Sequence, residues 1–98
     1  MEQILNLIEE IDNVTKCIIS IDILLRNGNI VSAYRQGMQT VDLIKDLDKR
    51  KIMGRALLRI RKGEQIDALN DIKSLQDLLK NDKRKILTSI LKNSKKEK

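Results

Sequence analysis

An apolar seam in residues 3–26 limits this chain to a helical fold more strongly than any other feature. Its members are spaced by alternating steps of four and three residues, which brings them to one side of an α-helix. Further isoleucines and leucines widen the stripe beyond the narrow seam of a two-stranded coiled coil, so the pattern favours a bundle of several helices. The seam consists of Leu7, Ile11, Val14, Ile18, Ile21 and Leu25.

Turn residues divide the rest of the chain into further helical segments. Gly28 and Gly63 predict helix ends, because glycine readily takes the left-handed conformation that follows a helix. Asn29 can cap the second helix through its side chain. Gly37 falls on the inner stripe of that helix, where it costs about 1 kcal/mol relative to alanine. We therefore expect Gly37 to mark the close approach of a neighbouring helix.

Two places leave the number of helices open. The inner apolar pattern slips between Leu47 and Ile52, so residues 30–62 are either one long helix or two. Asn81 and Asp82 predict a break after the helix of residues 65–80, with Asp82 as the N-cap of a last helix. The predicted inward residues of the segment before this break are Ile66, Leu69, Ile72, Leu75 and Leu79.

The composition agrees with packed helices. The chain has 98 residues, no Phe, Trp or Pro and a single Tyr, which suits short turns between helices and disfavours a β sandwich. We predict an all-α fold, either a helical bundle or two helix–turn–helix repeats, with three long or five shorter antiparallel helices. Residues 1–92 would form a single helical domain and residues 93–98 a polar basic tail.

Charge is distributed unevenly along the chain. The net charge is +6, of which residues 1–48 contribute −4 and residues 49–98 contribute +10. The segment 49–62 holds seven bases and no acid. Either the two halves are complementary surfaces of one fold or one dimer, or the C-terminal half meets an anionic partner. The candidate anion-binding residues are Lys51, Arg55, Arg59, Arg61 and Lys62.

The residue types needed for most catalytic sites are missing. The sequence has no His and one cysteine, Cys17, which excludes His-based triads, phosphorelay histidines and a zinc knuckle. No glycine-rich phosphate loop occurs. Asp42 and Asp46 share a helix face, but a solvated acidic surface explains them better than a metal site. We predict a protein that is not an enzyme and that uses no cofactor or metal.

The start of the chain does not resemble a secretion signal. Glu2 replaces the basic residues of a signal peptide, and Glu9 and Glu10 interrupt the apolar run. No segment is long and apolar enough to span a bilayer. A lone Cys17 suits a reducing compartment. These features predict a cytoplasmic protein, and the preference for Ile, Lys and Asn suggests a bacterial one.

Two pairs of segments in the chain have similar sequences. Residues 26–34 align with residues 61–69 at an offset of 35, with glycine on glycine and alanine on alanine. Residues 48–53 align with residues 82–87 at an offset of 34. A turn glycine followed five residues later by a packing alanine resembles the hairpins of the tetratricopeptide repeat family. In size and style the chain also resembles small bacterial flagellar and type III export chaperones.

The resemblance implies a helical protein that binds other proteins. The Trp and Tyr of the family's first helix and its closing Pro are absent here, so no functional residue is carried over. We expect a non-catalytic adaptor or chaperone-like protein whose partner is another protein or a second copy of the chain. The candidate contacts are apolar residues off the main stripes, namely Met38, Leu43, Leu58 and Leu78.

The alternative is nucleic-acid binding through residues 49–62 and the basic segment 83–98, whose Lys and Arg side chains could contact phosphates. The aromatic side chains on which single-strand binders stack bases are absent. A third possibility, binding to a membrane surface, is favoured less than either of these. Basic amphipathic helices at membranes use Trp or Phe anchors, and this sequence has neither.

Overall fold

The computed structural model describes residues 2–96, with side chains for residues 3–93, and contains four α-helices. No strand occurs within these residues, so the all-α prediction is confirmed. The four helices lie between the three and the five that the sequence predicts. They are α1 (Glu2–Arg26), α2 (Ile30–Leu43), α3 (Leu47–Arg61) and α4 (Gln65–Lys96).

The helices form an antiparallel ring in which each contacts two others. Neighbours along the chain pack together, and α4 returns to pack against α1. The diagonal pairs make no backbone contact. The result is an up-and-down helical bundle with principal extents of 55 × 23 × 20 Å.

Matching turns end α1 and α3 at one end of this bundle. Gly28 and Gly63 have φ angles of 78° and 80°, as their positions in the sequence predict. Each glycine and the residue after it donate to carbonyls of the last helical turn, which is the Schellman arrangement. The amide Nε2 of Gln65 donates to the Leu25 carbonyl and ties the start of α4 to the end of α1. Asn29 precedes α2, but its side chain makes no capping hydrogen bond, contrary to expectation.

The two-helix alternative for residues 30–62 is the one that the structure shows, and the break lies at residues 44–46, before the predicted slip between Leu47 and Ile52. Ile44 is extended, and its side chain remains in the core. Asp46 caps α3 by accepting a hydrogen bond from the Lys49 backbone N–H at 3.1 Å. Leu47 is 65% exposed, because the new helix starts with a different rotation and turns this residue away from the core.

The predicted break at Asn81 and Asp82 is wrong, because α4 continues through both residues to Lys96. Asp82 therefore caps no helix, and its carboxylate forms an ion pair with Lys49 Nζ at 2.7 Å instead. The predicted inward position of Ile66 is also wrong, since Ile66 is exposed and Ala68 is buried. Of the predicted tail, residues 93–96 belong to α4, and Glu97 and Lys98 lie outside the described residues.

One apolar core runs along the middle of the ring. The helical glycine Gly37 lies where α2 meets α3, and a Cβ on it would be 2.5 Å from Leu57 Cδ2 and 3.1 Å from Met53 Cε. The expected close approach of a neighbouring helix at Gly37 is therefore present. The core residues are Val14, Ile18, Ile21, Leu25, Ala33, Ile44, Met53, Ala56, Ile60, Ala68, Ile72, Leu75 and Leu79.

The helices differ in length, so the bundle has four helices along only part of its long axis. At about 1.5 Å per residue, α2 and α3 are about 21 and 23 Å long, whereas α4 reaches about 48 Å. Lys45, in the turn between α2 and α3, bridges to Glu10, and so the turn lies level with that residue. Beyond this level only α1 and α4 continue. We call residues 2–12 together with residues 83–96 the two-helix arm, and residues 13–82 the four-helix segment.

Candidate functional site

The outer face of the α2–α3 pair carries two of the predicted partner-binding residues. Gly37 of α2 meets Leu57 of α3 at the contact between the helices. Met38 and Leu58 are the next residues along each helix, rotated by about 100° from that contact. Because the helices are antiparallel, this rotation turns both side chains to the same outer side. Met38 is 51% and Leu58 56% exposed.

A shallow groove of about 460 Å³ lies on the α2 side of this face, and its lining residues all belong to α2. Its apolar lining comes from Val31, Tyr34 and Met38, and its polar lining from Arg35, Gln39 and Asp42. Val31 is 73% exposed and Tyr34 is half-buried. The face, which we call the α2–α3 face, therefore combines an uncovered apolar strip with polar edges.

Basic residues of α3 are placed around this strip. By helical rotation, Lys51, Arg61 and Lys62 lie on the outer side of α3, as Leu58 does, and all three are exposed. Arg35 adds a base on the α2 side. The strip is apolar along its centre and predominantly basic at its rim, which favours a ligand with apolar and acidic groups.

Two of the five candidate anion-binding residues are already paired within the chain. Arg55 donates to Asp71 Oδ1 through Nε at 3.2 Å and Nη2 at 2.8 Å, and Arg59 Nη1 donates to Asp71 Oδ2 at 2.9 Å. The Asp71 side chain is only 4% exposed. These charge-assisted bonds join α3 to α4, so Arg55 and Arg59 hold the bundle together here.

A second charged cluster lies at the base of the arm. Lys49 Nζ lies 3.4 Å from Asp46 Oδ2 and 2.7 Å from Asp82 Oδ2. The hydrogen bond to Asp82 raises the pKa of Lys49 above its ordinary value. Asp46 accepts a hydrogen bond from the backbone N–H of Lys49, and this bond lowers the pKa of the Asp46 carboxyl. The positive charge of Lys49, at the start of α3, is thus compensated by Asp46 in the preceding turn and by Asp82 on α4.

The other two predicted partner-binding residues lie on different faces. Leu43 is 51% exposed near the end of α2, where it lines a small groove with Val14, Leu75 and Leu79. Leu78 is 38% exposed on α4, one turn beyond Ser74 and away from the α2–α3 face. The structure therefore brings together Met38 and Leu58 but neither Leu43 nor Leu78 with them.

The described residues show no other recognisable chemical site. No group of three or more His, Cys, Asp or Glu side chains among them could hold a metal ion. None of their helices is long and apolar enough to cross a membrane. Cys17 is a free, half-buried thiol.

Comparison with known proteins finds no matching family model, no matching curated protein and no matching solved structure. The resemblance to tetratricopeptide hairpins stays a prediction.

Sequence reasoning missed the role of Asp71 and the presence of the arm. Asp71 lies three residues after Ala68 and four before Leu75, on the edge of the buried stripe of α4. A carboxylate at that position signals a buried partner, because an unpaired charge there would be costly. The arm was signalled by the unequal lengths of the apolar segments between the turn residues.

Proposed function

We propose that this protein is a non-catalytic helical adaptor that binds an amphipathic helix of another protein on its α2–α3 face. The observation that supports this most directly is the placement of Met38 and Leu58 on one outer side, beside the groove lined by Val31 and Tyr34. Methionine adapts its shape to different apolar partners, which suits such a surface. An amphipathic helix that lays its apolar face on a hydrophobic groove is a common mode of peptide recognition.

The charges at the rim define the kind of helix that fits. Arg35, Lys51 and Arg61 would face the polar flanks of the bound helix, so acidic residues are favoured there. Asp42 is paired with Arg50 at 4.0 Å, which leaves the rim basic overall. The proposed ligand therefore has an apolar stripe flanked by Glu or Asp. The lone free Cys17 is compatible with action in a reducing cytoplasm, where we propose the protein works.

The test is binding of a fluorescent amphipathic helical peptide with Leu on one stripe and Glu elsewhere. We expect measurable affinity that Met38→Asp and Leu58→Asp each weaken by about tenfold or more, because each puts a charge into the apolar contact. The matched control is Ile23→Asp, which alters a comparably exposed isoleucine on α1.

Two results would contradict the proposal. One is equal binding of a peptide in which every Glu is replaced by Lys, which would show that the basic rim does not select the ligand. The other is an equal loss of affinity in the Ile23→Asp control. Circular dichroism of all variants verifies that each is folded, and all three positions are exposed, so folding should be retained.

Nucleic-acid binding is the second candidate, and the basic C-terminal part of α4 favours it. Residues 83–96 carry six bases and no acid, and Lys51, Arg61 and Lys62 are exposed. The pairing of Arg55 and Arg59 with Asp71 leaves fewer free charges than the sequence suggests. If this candidate is right, a DNA or RNA duplex binds with a steep salt dependence, and replacing Lys51, Arg61 and Lys62 by Gln makes that dependence shallower.

A further inference from the structure

The outer side of the α1–α4 pair carries exposed apolar side chains along its length. Ile19 lies nine residues after Glu10, about two and a half turns, and so on the side of α1 opposite the bridge from Glu10 to the α2–α3 turn. Leu91 lies nine residues after Asp82, which bridges to Lys49 of α3. Both side chains therefore point away from α2 and α3. We call this side the α1–α4 face, and its exposed apolar residues are Leu5, Ile19, Ile23, Ile66, Leu87 and Leu91.

Helical spacing aligns these residues along the crest of each helix. Leu5 and Ile23 are 18 positions apart, which is about five full turns, so they lie on one line of α1. Ile66 and Leu91 are 25 positions apart and lie within about 20° of each other on α4. The most exposed of the set is Ile66, at 76%. The face thus consists of two parallel ridges from which single apolar side chains protrude.

Basic residues occupy the middle of the α1–α4 face. Asp12 and Lys83, joined at 2.8 Å, set the level of α1 against α4. Lys16 lies about one turn from Asp12, and Lys80 lies about one turn from Lys83 in the same direction along the bundle, so the two lysines are level. Arg84 adjoins them on the arm side. Lys16, Lys80 and Arg84 are exposed, and within the described residues none of them forms an ion pair.

The apolar residues form two groups, one on each side of this basic band. Leu5 and Ile19 are 14 positions apart, so the groups are separated by about 21 Å. An exposed base and an exposed acid, Lys73 and Asp77, lie in the second group and offset each other. The group in the arm consists of Leu5, Leu87 and Leu91, and the group in the four-helix segment consists of Ile19, Ile23 and Ile66.

This order is the reverse of a protein–protein interface, which has an apolar centre and a polar rim. A second copy aligned along the same face would bring the two basic bands together, and like charges would meet. A nucleic acid would pair with the bases and leave both apolar groups without a partner. A fluid lipid surface fits all three parts, because its headgroups and acyl chains are available at every point along the face.

We propose that the α1–α4 face binds the surface of an anionic lipid bilayer. The two apolar groups enter the boundary between headgroups and acyl chains, and Lys16, Lys80 and Arg84 contact the lipid phosphates between them. Leu and Ile take the place of the missing Trp and Phe anchors, so binding depends on anionic lipid as well as on apolar contact. The α2–α3 face lies on the opposite side of the bundle and stays open to solvent.

The first test is co-sedimentation with vesicles of phosphatidylcholine that contain about 30% phosphatidylserine, so that the surface is anionic. We expect binding that is lost on pure phosphatidylcholine vesicles and that weakens as salt is raised. Leu5→Asp and Leu91→Asp should each lower the partition coefficient by about tenfold, because each puts a charge where an apolar side chain enters the membrane. Leu47→Asp is the matched control, since Leu47 is 65% exposed and lies on the side of α3 turned away from α1 and α4.

The second test removes the central charges. The double variant Lys16→Gln and Lys80→Gln should lower the partition coefficient by about tenfold or more, because each base near an anionic surface contributes about fivefold. The matched control, Lys51→Gln with Lys62→Gln, removes the same charge from the opposite side of the bundle and should have little effect. All of these residues are exposed, so folding should be retained, and circular dichroism verifies it.

Absence of binding to the anionic vesicles at low salt would overturn this proposal. An equal loss in the two double variants would also overturn it, because net charge rather than this face would then account for the binding. Sedimentation equilibrium without vesicles examines the other occupant: dimers that Leu5→Asp and Leu91→Asp dissociate would assign the face to a second copy instead. None of these outcomes bears on peptide binding at Met38 and Leu58, so the two proposals fail independently.

Discussion

Helix α1 passes through two environments without a change in its apolar pattern. Ile18, in the four-helix segment, has no exposed surface, and Leu7, eleven residues earlier in the same seam, is 49% exposed. The difference arises from the other helices, because α2 ends and α3 begins at the level of Glu10. A heptad pattern therefore tells which side of a helix faces apolar partners, but not how many partners the same chain supplies.

The comparison predicts that the same mutation costs different amounts in the two regions. Ile72→Ala removes methyl groups from a fully buried position, and we expect it to lower the free energy of unfolding by about 3 kcal/mol. Ile90→Ala alters the half-buried continuation of the same stripe and should cost about 1 kcal/mol. Urea unfolding measures both. Equal costs would show that the arm is as well covered as the four-helix segment.

Gly37 tests how tightly the four-helix segment is packed. In Gly37→Val the new side chain would overlap Leu57 and Met53, and we expect a loss of about 2 kcal/mol. Gly54→Ala is the matched change in α3, where nothing lies within 4 Å of the added Cβ. That variant should gain about 0.5–1 kcal/mol of helix propensity. A gain in both variants would mean that α2 and α3 separate easily.

The charged side chains of the two regions should also differ in how much they contribute to the free energy of unfolding. Asp71→Ala leaves two arginines without their shared buried acceptor, and we expect a cost of about 2 kcal/mol in the free energy of unfolding. Glu9→Ala in the arm changes an exposed carboxylate and should stay within about 0.5 kcal/mol of the parent protein. Thermal or urea unfolding at neutral pH compares them. A small effect of Asp71→Ala would mean that water replaces the two bonds at little cost.

The smallest effect concerns the cluster where the two regions meet. The pKa of Lys49 is raised, chiefly by its hydrogen bond to Asp82, so its stabilising contribution is complete below pH 10.5 and is lost as the pH rises through the higher value in the folded protein. We expect this loss to be about 0.5 kcal/mol, as for other partly exposed ion pairs. Unfolding at pH 9 and pH 11.5, compared between the parent protein and Lys49→Gln, isolates it from other titrating groups. An identical pH dependence in both proteins would contradict it.

Much of the fold follows from local signals in the sequence. The turns at Gly28 and Gly63 and the close approach at Gly37 were predicted because each depends on the backbone or the missing Cβ of a single residue. The buried stripe of α1 from Val14 to Leu25 follows from spacing alone.

Other features depend on the partners that a segment meets. Residues 48–53 and 82–87 have nearly the same sequence, yet the first begins a helix and the second lies inside one. Asp46 caps α3 by accepting from a backbone N–H, whereas Asp82 reaches across to Lys49. Propensity cannot distinguish two such environments, which is why the break at Asp82 was predicted wrongly.

The candidate sites were foreseeable only in part. The exposure of Met38 and Leu58 follows from their positions off the main stripes, but their meeting on one side depends on the register of α2 against α3, which Gly37 sets. The pairing of Arg55 and Arg59 with Asp71 joins two helices, and no spacing within either helix reveals it.

The order of contacts around the ring has a consequence for how the chain folds. Three of the four helix interfaces join neighbours in sequence, and such local hairpins form quickly. The α1–α4 interface brings Asp12 to Lys83, 71 positions apart. It is the interface that closes a long loop, so the entropic cost of long-range loop closure arises in one step of folding. We therefore expect refolding in a single fast phase, with α1 docking on α4 as the slow step. Mutations at the α1–α4 interface should then change the folding rate more than equally destabilising ones in α2.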